Sequence, residues 1–285
     1  MKRLVRVAAS TPVRLFVIAA AIVLLAACRG SEPSRSIEVP EGVDHTEWNR
    51  LLHAYVDDKG LVDYARWKAS EPDVRALGDY LSQFAPPPRR TAVGDERNAA
   101  LVNAYNAFTI RWVLENYPIE SIQKLPNPLG GARHRIGGQD VSLDAIEHDT
   151  LRPEMGYLVH GVLVSAARSC PPLSREAFRS DRFVGQTSFA IVRWLARDDL
   201  NHFDVDHRRA QISPIFKWYA QDFEAAKGGL RGILSMAAPD PARPVIAEPT
   251  TKITYKDFDW GLNDQGPRGR EYRHGLWQKL KGLFR

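Results

Sequence analysis

The chain has 285 residues, room for one large domain or two small ones. With 44% hydrophobic and 26% charged residues it is neither a disordered chain nor a polytopic membrane protein. Its formal charge of +5 is matched by the stretch Arg268 to Arg285 alone, so the rest is nearly neutral and a nucleic-acid partner is not expected.

The first residues carry Lys2, Arg3, Arg6 and Arg14 and then an unbroken apolar segment, Leu15 to Ala27. A basic start followed by a short apolar core reads as an export signal, too short for a membrane span of about 20 residues. Leu25-Ala26-Ala27-Cys28 resembles a bacterial lipobox, which implies cleavage before Cys28 and lipid on its sulfur. The expected organisation is a signal peptide over 1–27, a polar Pro- and Gly-containing spacer over 28–43 and one globular domain over 44–265. A basic amphipathic tail over 266–285 would complete the chain and gives a second means of touching a membrane. The lipid places the protein in the bacterial envelope, facing the periplasm and most simply on the outer membrane.

Within the domain, Trp48, Leu51, Leu52, Tyr55 and Val56 recur at helical spacing behind the candidate caps Asp44 and Thr46. A short extended piece then leads into a second helix running to about Phe84, where Pro86, Pro87 and Pro88 stop regular structure. The longest periodic run contains Ala100, Leu101, Tyr105, Phe108, Trp112 and Leu114 and ends before Pro118, which predicts a core helix. Asn103 and Asn106 stand one turn apart on it, where asparagine is disfavoured and needs a partner. A hairpin turning at Gly137-Gly138 follows, then a short helix capped by Ser142 that carries Glu147 and His148. The apolar run Tyr157 to Ala166 predicts a strand buried on both faces, with Cys170 just past its end. Beyond it lie a helix around Phe183 to Leu195, a hairpin over 202–213, a helix opened by Pro214 and a strand near Thr251 to Tyr255. The fold class is therefore α+β: a small mixed or antiparallel sheet surrounded by helices, open to a papain-like or transglutaminase-like arrangement.

Four stretches, "NAYNAFTI" from Asn103, "SLDAIEH" from Ser142, "RSCPPL" from Arg168 and "FKWYAQDF" from Phe216, resemble the domain of unknown function 547 family in their order, as does "YKDFDWGLN" near residue 260. The resemblance implies an exported or lipid-linked protein but no settled activity. Members often carry a second cysteine five residues before the one in "SCPPL"; here that position is Ser165, so a local cysteine pair is excluded.

Only Cys28 and Cys170 occur, and lipidation of the first leaves Cys170 without a disulfide partner. Such a thiol is either buried and inert or kept for reactivity. In the reactive reading Cys170 is a nucleophile and His148 its base, with Asn103 or Asn106 orienting the imidazole; Glu147, whose place next to His148 on a helix turns it about 100° away, either orients an imidazole, acts on its own as an acid or base, or pairs with Arg168 or Arg152. Pro171 would let Cys170 cap a helix, and Arg168 would supply a cation; both lower a thiol's pKa. Arg168 and Ser169 are the expected substrate contacts. His160 reads as a core or strand-edge histidine, ten extended residues from Cys170. Zinc on Cys170 with His134, His148 or His160 lacks any compact ligand spacing, and no phosphate-binding glycine motif occurs, so no metal or cofactor is expected. The resulting expectation is a thiol hydrolase or acyl transferase acting on an amide or thioester, small envelope peptides being the accessible substrates. The competing expectation is a non-enzymatic envelope protein using the same residues as a polar network.

Overall fold

A computed structural model describes residues 36–272. The signal segment, Cys28 and the tail from residue 273 onward lie outside the described residues. The fold begins before the expected boundary at 44: Ile37 and Val39 are buried, and Val39 accepts a backbone hydrogen bond from Ala92 at 2.9 Å. Two apolar side chains in an otherwise polar stretch are enough to draw this segment onto the domain.

Helix α1 (Thr46–Tyr55) buries the predicted Trp48, Leu51, Leu52 and Tyr55, and Asp44 Oδ1 accepts from Thr46 N at 2.9 Å at its start. The expected second helix is in fact two, α2 (Tyr64–Ala69) and α3 (Glu71–Ser82). Ser70 adopts φ −92° and ψ 88° between them, and Pro72 in the first turn of α3 cannot continue a preceding helix. The aromatic faces of α1 and α3 meet where Trp48 stacks on Tyr80, centroids 5.7 Å apart. Helix α4 (Gly94–Asn116) is the axis of the core, buried without interruption from Asn98 to Ile110. Pro118 forces the extended geometry seen at Tyr117 and ends it.

The hairpin β1 (His134–Ile136) and β2 (Gln139–Val141) turns on Gly137 and Gly138, both at positive φ, as its Gly-Gly predicts. Ser142 Oγ accepts from Ala145 N at 3.0 Å and starts the next helix, whose body is a π-helical segment (Ala145–Leu151) running into α5 (Arg152–Met155). Wide turns of this kind are rare and concentrate at functional sites.

The predicted strand over 157–166 is absent. Gly156 at φ 54° ends α5, a 3₁₀ helix occupies Gly156–Gly161, and the chain then runs without a strand partner to Ser165. A short buried apolar run has no periodicity that separates strand from helix, and here α4 replaces the sheet by giving Val164 its hydrogen bond. Gly161 makes the packing possible: a Cβ there would lie 2.5 Å from Ile191 Cδ1 on α6 (Phe183–Leu195).

The remaining sheet contains β3 (His202–Asp204), β4 (Arg209–Ile212) and β5 (Lys252–Tyr255), with β3 antiparallel and β5 parallel to the central β4. Between β4 and β5 lie α7 (Ile215–Trp218), α8 (Ala220–Glu224), α9 (Gly229–Ala237) and α10 (Arg243–Ala247); α11 (Arg268–Glu271) follows β5. Two small sheets set among helices make an α+β domain, as expected. Among the described residues no helix is long and apolar enough to cross a membrane.

Candidate functional site

Cys170 sits in a loop fastened on three sides. Upstream, the Asn106 side chain accepts from Val164 N at 2.9 Å and donates to Val162 O at 2.9 Å. Downstream, Asn103 does the same for Phe178, donating to its carbonyl at 2.8 Å and accepting from its N–H at 2.9 Å. The third fastening is the segment 259–263: Arg168 N donates to Gly261 O, Asp259 N donates to Ser169 Oγ and Asn263 N donates to Ala166 O. Buried backbone groups need partners, and the two asparagines supply them where no strand does. Their amides are thus spent on the loops flanking Cys170, which corrects the expectation that either orients a histidine. Ser169 likewise spends its hydroxyl on the loop.

The loop is held under strain. Ala166, buried, has φ 57°, a left-handed conformation that costs a residue with a Cβ on the order of 1 kcal/mol. It lies between Ser165 and Cys170 and brings Ser165 Oγ within 3.3 Å of Cys170 Sγ. Cys170 does not cap a helix, because residues 171–179 are irregular. Nor does Arg168 lower its pKa: burial pushes the thiol up, the Ser165 hydroxyl and backbone donors oppose this, and the negative charge of Glu147 adds to the rise. Arg168 turns instead toward Asp259, 3.8 Å away, and the carbonyl of Asp264. In the resting protein the sulfur is a protonated thiol.

Glu147 and His148 part company on the π-helical segment, as adjacent helical residues must. His148 is exposed, its ring 6.2 Å from that of Tyr219, and no histidine nitrogen hydrogen-bonds the Cys170 sulfur. Glu147 turns its carboxyl inward, accepting from Tyr219 at 3.1 Å and from Tyr105 at 3.5 Å. Burial raises its pKa against the opposing pull of His148 and the Tyr219 hydrogen bond. The charge of Glu147 adds a minor part to the rise in the Cys170 pKa, and no hydrogen bond joins either Glu147 or His148 to the Cys170 sulfur.

Tyr219 is the hub of a further set that the sequence reading passed over. It occupies the break between α7 and α8 at φ −110° and ψ 33°, and its ring stacks on His160 at 3.9 Å. His160 Nε2 lies 2.6 Å from Asp222 Oδ2, and Arg152 forks the same carboxylate at 2.7 and 3.1 Å. Burial lowers the pKa of His160 to about 4. Burial also works against the Asp222 carboxylate, but hydrogen bonds from Arg152 and His160 prevail and hold it ionised below its usual range. A neutral imidazole beside a carboxylate donates, which fixes the proton on Nε2. The sequence placed His160 in the core, and it is there, but on a 3₁₀ helix. The premise that extended chain separates it from Cys170 does not hold. Tyr219 and Asp222 were in view within "FKWYAQDF", and Tyr105 within "NAYNAFTI"; only the fold shows that they converge on Glu147.

His134, a candidate zinc ligand, is elsewhere: it stacks on Phe108 at 4.4 Å, with both ring nitrogens buried and unpartnered and its pKa lowered to about 3 by burial and by Arg111 and Arg133. Among the described residues no group of three or more His, Cys, Asp or Glu side chains is placed to hold a metal.

Residues 89–194 match the protein family described as "Protein of unknown function, DUF547". This supports the resemblance to that domain family read from the motifs, and the matched span contains Asn103, Asn106, Glu147, His148, His160 and Cys170. No curated protein and no solved structure matches the chain.

Proposed function

We propose that the protein is a lipid-anchored enzyme of the bacterial envelope that transfers or hydrolyses acyl groups held as an amide or thioester, with Cys170 as nucleophile. The observation that carries this reading is the buried Cys170 thiol, hydrogen-bonded to Ser165 in a strained loop and pushed further up in pKa by the charge of the half-buried, tyrosine-held carboxyl of Glu147. Backbone strain and perturbed ionisable groups cluster at functional sites, which supports the reading.

The chemistry follows from those pKa directions. Glu147, as the carboxylate, takes the thiol proton while Sγ bonds to the substrate carbonyl carbon. As the acid, it returns that proton to the departing nitrogen or sulfur when the carbon–leaving-group bond breaks. Water, or another acceptor, then attacks the thioester on Cys170, losing its proton to Glu147, and the thiol is regenerated. A raised pKa suits Glu147 to both roles, since it makes the carboxylate a stronger base and leaves more of the acid form available. Tyr105 and Tyr219 hold the carboxyl in place; the His160–Asp222–Arg152 set holds Tyr219. His148, at the surface, pulls the Glu147 pKa down in opposition to burial.

Trapping of the acyl-enzyme tests the proposal. Incubation with S-acetyl mercaptoacetamide, followed by peptide mass mapping, should place an acetyl group on Cys170, absent in Cys170→Ala and slowed about 100-fold or more in Glu147→Gln. Acetylation that never reaches Cys170, or is indifferent to Glu147, would return these residues to the non-enzymatic reading, a polar network that shapes a partner surface.

A further inference from the structure

Cys170 also lines a small cavity with room for about one water molecule, whose wall includes Gly60, Arg168, Arg197 and Asn263. Gly60, at φ 77°, closes it by lying against Pro172 and Leu173: a Cβ there would fall 2.4 Å from Leu173 N. Its two arginines are matched, Arg197 by Asp199 at 2.8 and 2.5 Å and Arg168 by Asp259 at 3.8 Å, so charge does not distinguish this space. What distinguishes it is an amide.

Asn263 is 3% exposed and its backbone is pinned on both sides: its N–H donates to the Ala166 carbonyl and its own carbonyl accepts from Val62 N, each at 2.9 Å. Its side-chain oxygen accepts from the Tyr64 hydroxyl at 2.9 Å. Tyr64 is fully buried; burial, with the negative charges of Asp264 and Cys170, pushes its pKa well above the ordinary value, so the phenol keeps its proton and needs an acceptor. Tyr64 is itself fixed, its ring stacked on that of Tyr117 at 6.0 Å, while the Tyr117 hydroxyl donates to Asp264 at 3.1 Å. With its oxygen taken, the Asn263 amide turns its nitrogen the other way, and among the described residues that nitrogen meets no acceptor. The nitrogen is not sealed in the core, and the space that Asn263 lines is this cavity. A donor held open in this way is satisfied by a water or by a ligand oxygen. The Cys170 N–H donates to the Ala167 carbonyl at 3.1 Å, a turn that folds Cys170 back beside the bridge pairing Ala167 with Leu262, next to Asn263. Neither Glu147 nor Tyr105 lines the cavity, so Cys170 is what the acid–base cluster and the amide have in common.

We propose that Asn263 is a catalytic residue of the Cys170 reaction, the donor that receives the carbonyl oxygen of the acyl group, and that Tyr64 is its positioning residue. The assignment rests on the acyl-transfer reading. As Sγ bonds to the carbonyl carbon, the C=O π pair moves onto the oxygen and the amide N–H donates to it. When the carbon–leaving-group bond breaks, that pair returns to re-form C=O, and the leaving group takes its proton from Glu147. The cavity fits the task in size, since it takes a single oxygen. A donor fixed before the charge develops costs no reorganisation when it does.

Two reactions of one sulfur, followed in the detergent-solubilised full chain, test this. Acetylation by S-acetyl mercaptoacetamide develops charge on a carbonyl oxygen; alkylation by iodoacetamide, a displacement at a saturated carbon, does not. Asn263→Ala should slow acetylation of Cys170 by about 100-fold or more, the scale of one lost oxyanion donor, and leave alkylation within about threefold of the wild type. Tyr64→Phe keeps the amide but frees it to turn; it should slow acetylation by about tenfold with alkylation again preserved, and it serves if Asn263→Ala fails to fold. Acetylation unchanged in the folded variant, or slowed in step with alkylation, would overturn the assignment and leave Asn263 a structural ligand of a buried water. Wild-type Cys170 that is alkylated but never acetylated would instead remove the acyl-transfer reading, and this assignment with it.

Discussion

The thiol and the carboxyl carry opposite burdens for stability and for chemistry. Glu147 has a folded pKa above its ordinary value, so its ionised form is favoured in the unfolded chain; stability is lost as pH rises from about 4.5 through the raised folded value. Glu147→Gln keeps an acceptor for Tyr219 and puts an NH2 donor opposite the Tyr105 hydroxyl oxygen, without the charge. It should therefore unfold at a higher temperature than the wild type at pH 7, by about 2–4 °C if about 1 kcal/mol is recovered, while losing acyl transfer. Calorimetry at pH 7 checks the sign: a lower midpoint for Glu147→Gln would show that the carboxylate is a stabilising partner and not a strained catalytic one. Cys170 was legible in the sequence because cysteine is scarce and its neighbours are prolines. Glu147 is also in view as an acid or base of its own, but the role of base to Cys170 falls to His148 in the sequence, because only the fold decides which of two adjacent helical residues turns inward.

At the scale of elements, helix α4 does more than fill the core. Asn103 and Asn106 use it as a frame on which the chain before and after Cys170 is hung, the role a sheet usually plays. Asn106→Ala strands a buried carbonyl at Val162 and a buried N–H at Val164, a loss of about 2–4 kcal/mol. Denaturant unfolding should show that loss, with faster alkylation of Cys170 in the folded variant as the loop loosens. A loss under about 0.5 kcal/mol would mean that water replaces the amide and that the frame is dispensable. The same frame explains which elements could be read in advance. The Gly-Gly hairpin, the Ser142 cap and the Pro-bounded α4 follow from local chemistry and appear as expected. The run Tyr157 to Ala166 does not become a strand because its hydrogen bonds come from a side chain on α4, 58 positions from Val164 in sequence, which no local pattern records. The break at Tyr219 is equally silent: helical propensity runs straight through "FKWYAQDF", and the ring's stacking on His160 and hydrogen bond to Glu147 are made across the fold.

For the whole molecule, buried neutral histidines set the response to acid. His160 and His134 have folded values of about 4 and about 3, below the ordinary 6.5, so the unfolded chain binds more protons below pH 6.5. Stability from these groups is present above pH 6.5 and is lost as pH falls toward 4, by about 3 kcal/mol at most for His160. Calorimetric midpoints should fall steeply between pH 6.5 and 4, and His134→Phe, which keeps the stack on Phe108, should flatten that fall; a midpoint independent of pH in this range would deny the buried neutral state. The proposed envelope location rests on lipid at Cys28: on that proposal Cys28→Ser should move the protein from the membrane fraction to the periplasmic one, and retention in the membrane would instead point to the basic tail. The account turns most directly on what governs the Cys170 thiol. Its alkylation rate as a function of pH, measured in the wild type, Glu147→Gln and His148→Ala, is predicted to rise only above pH 9, to shift to lower pH in Glu147→Gln, and to shift little in His148→Ala. A wild-type midpoint at or below pH 7, moved by His148→Ala and unmoved by Glu147→Gln, would contradict it and restore the cysteine–histidine pair.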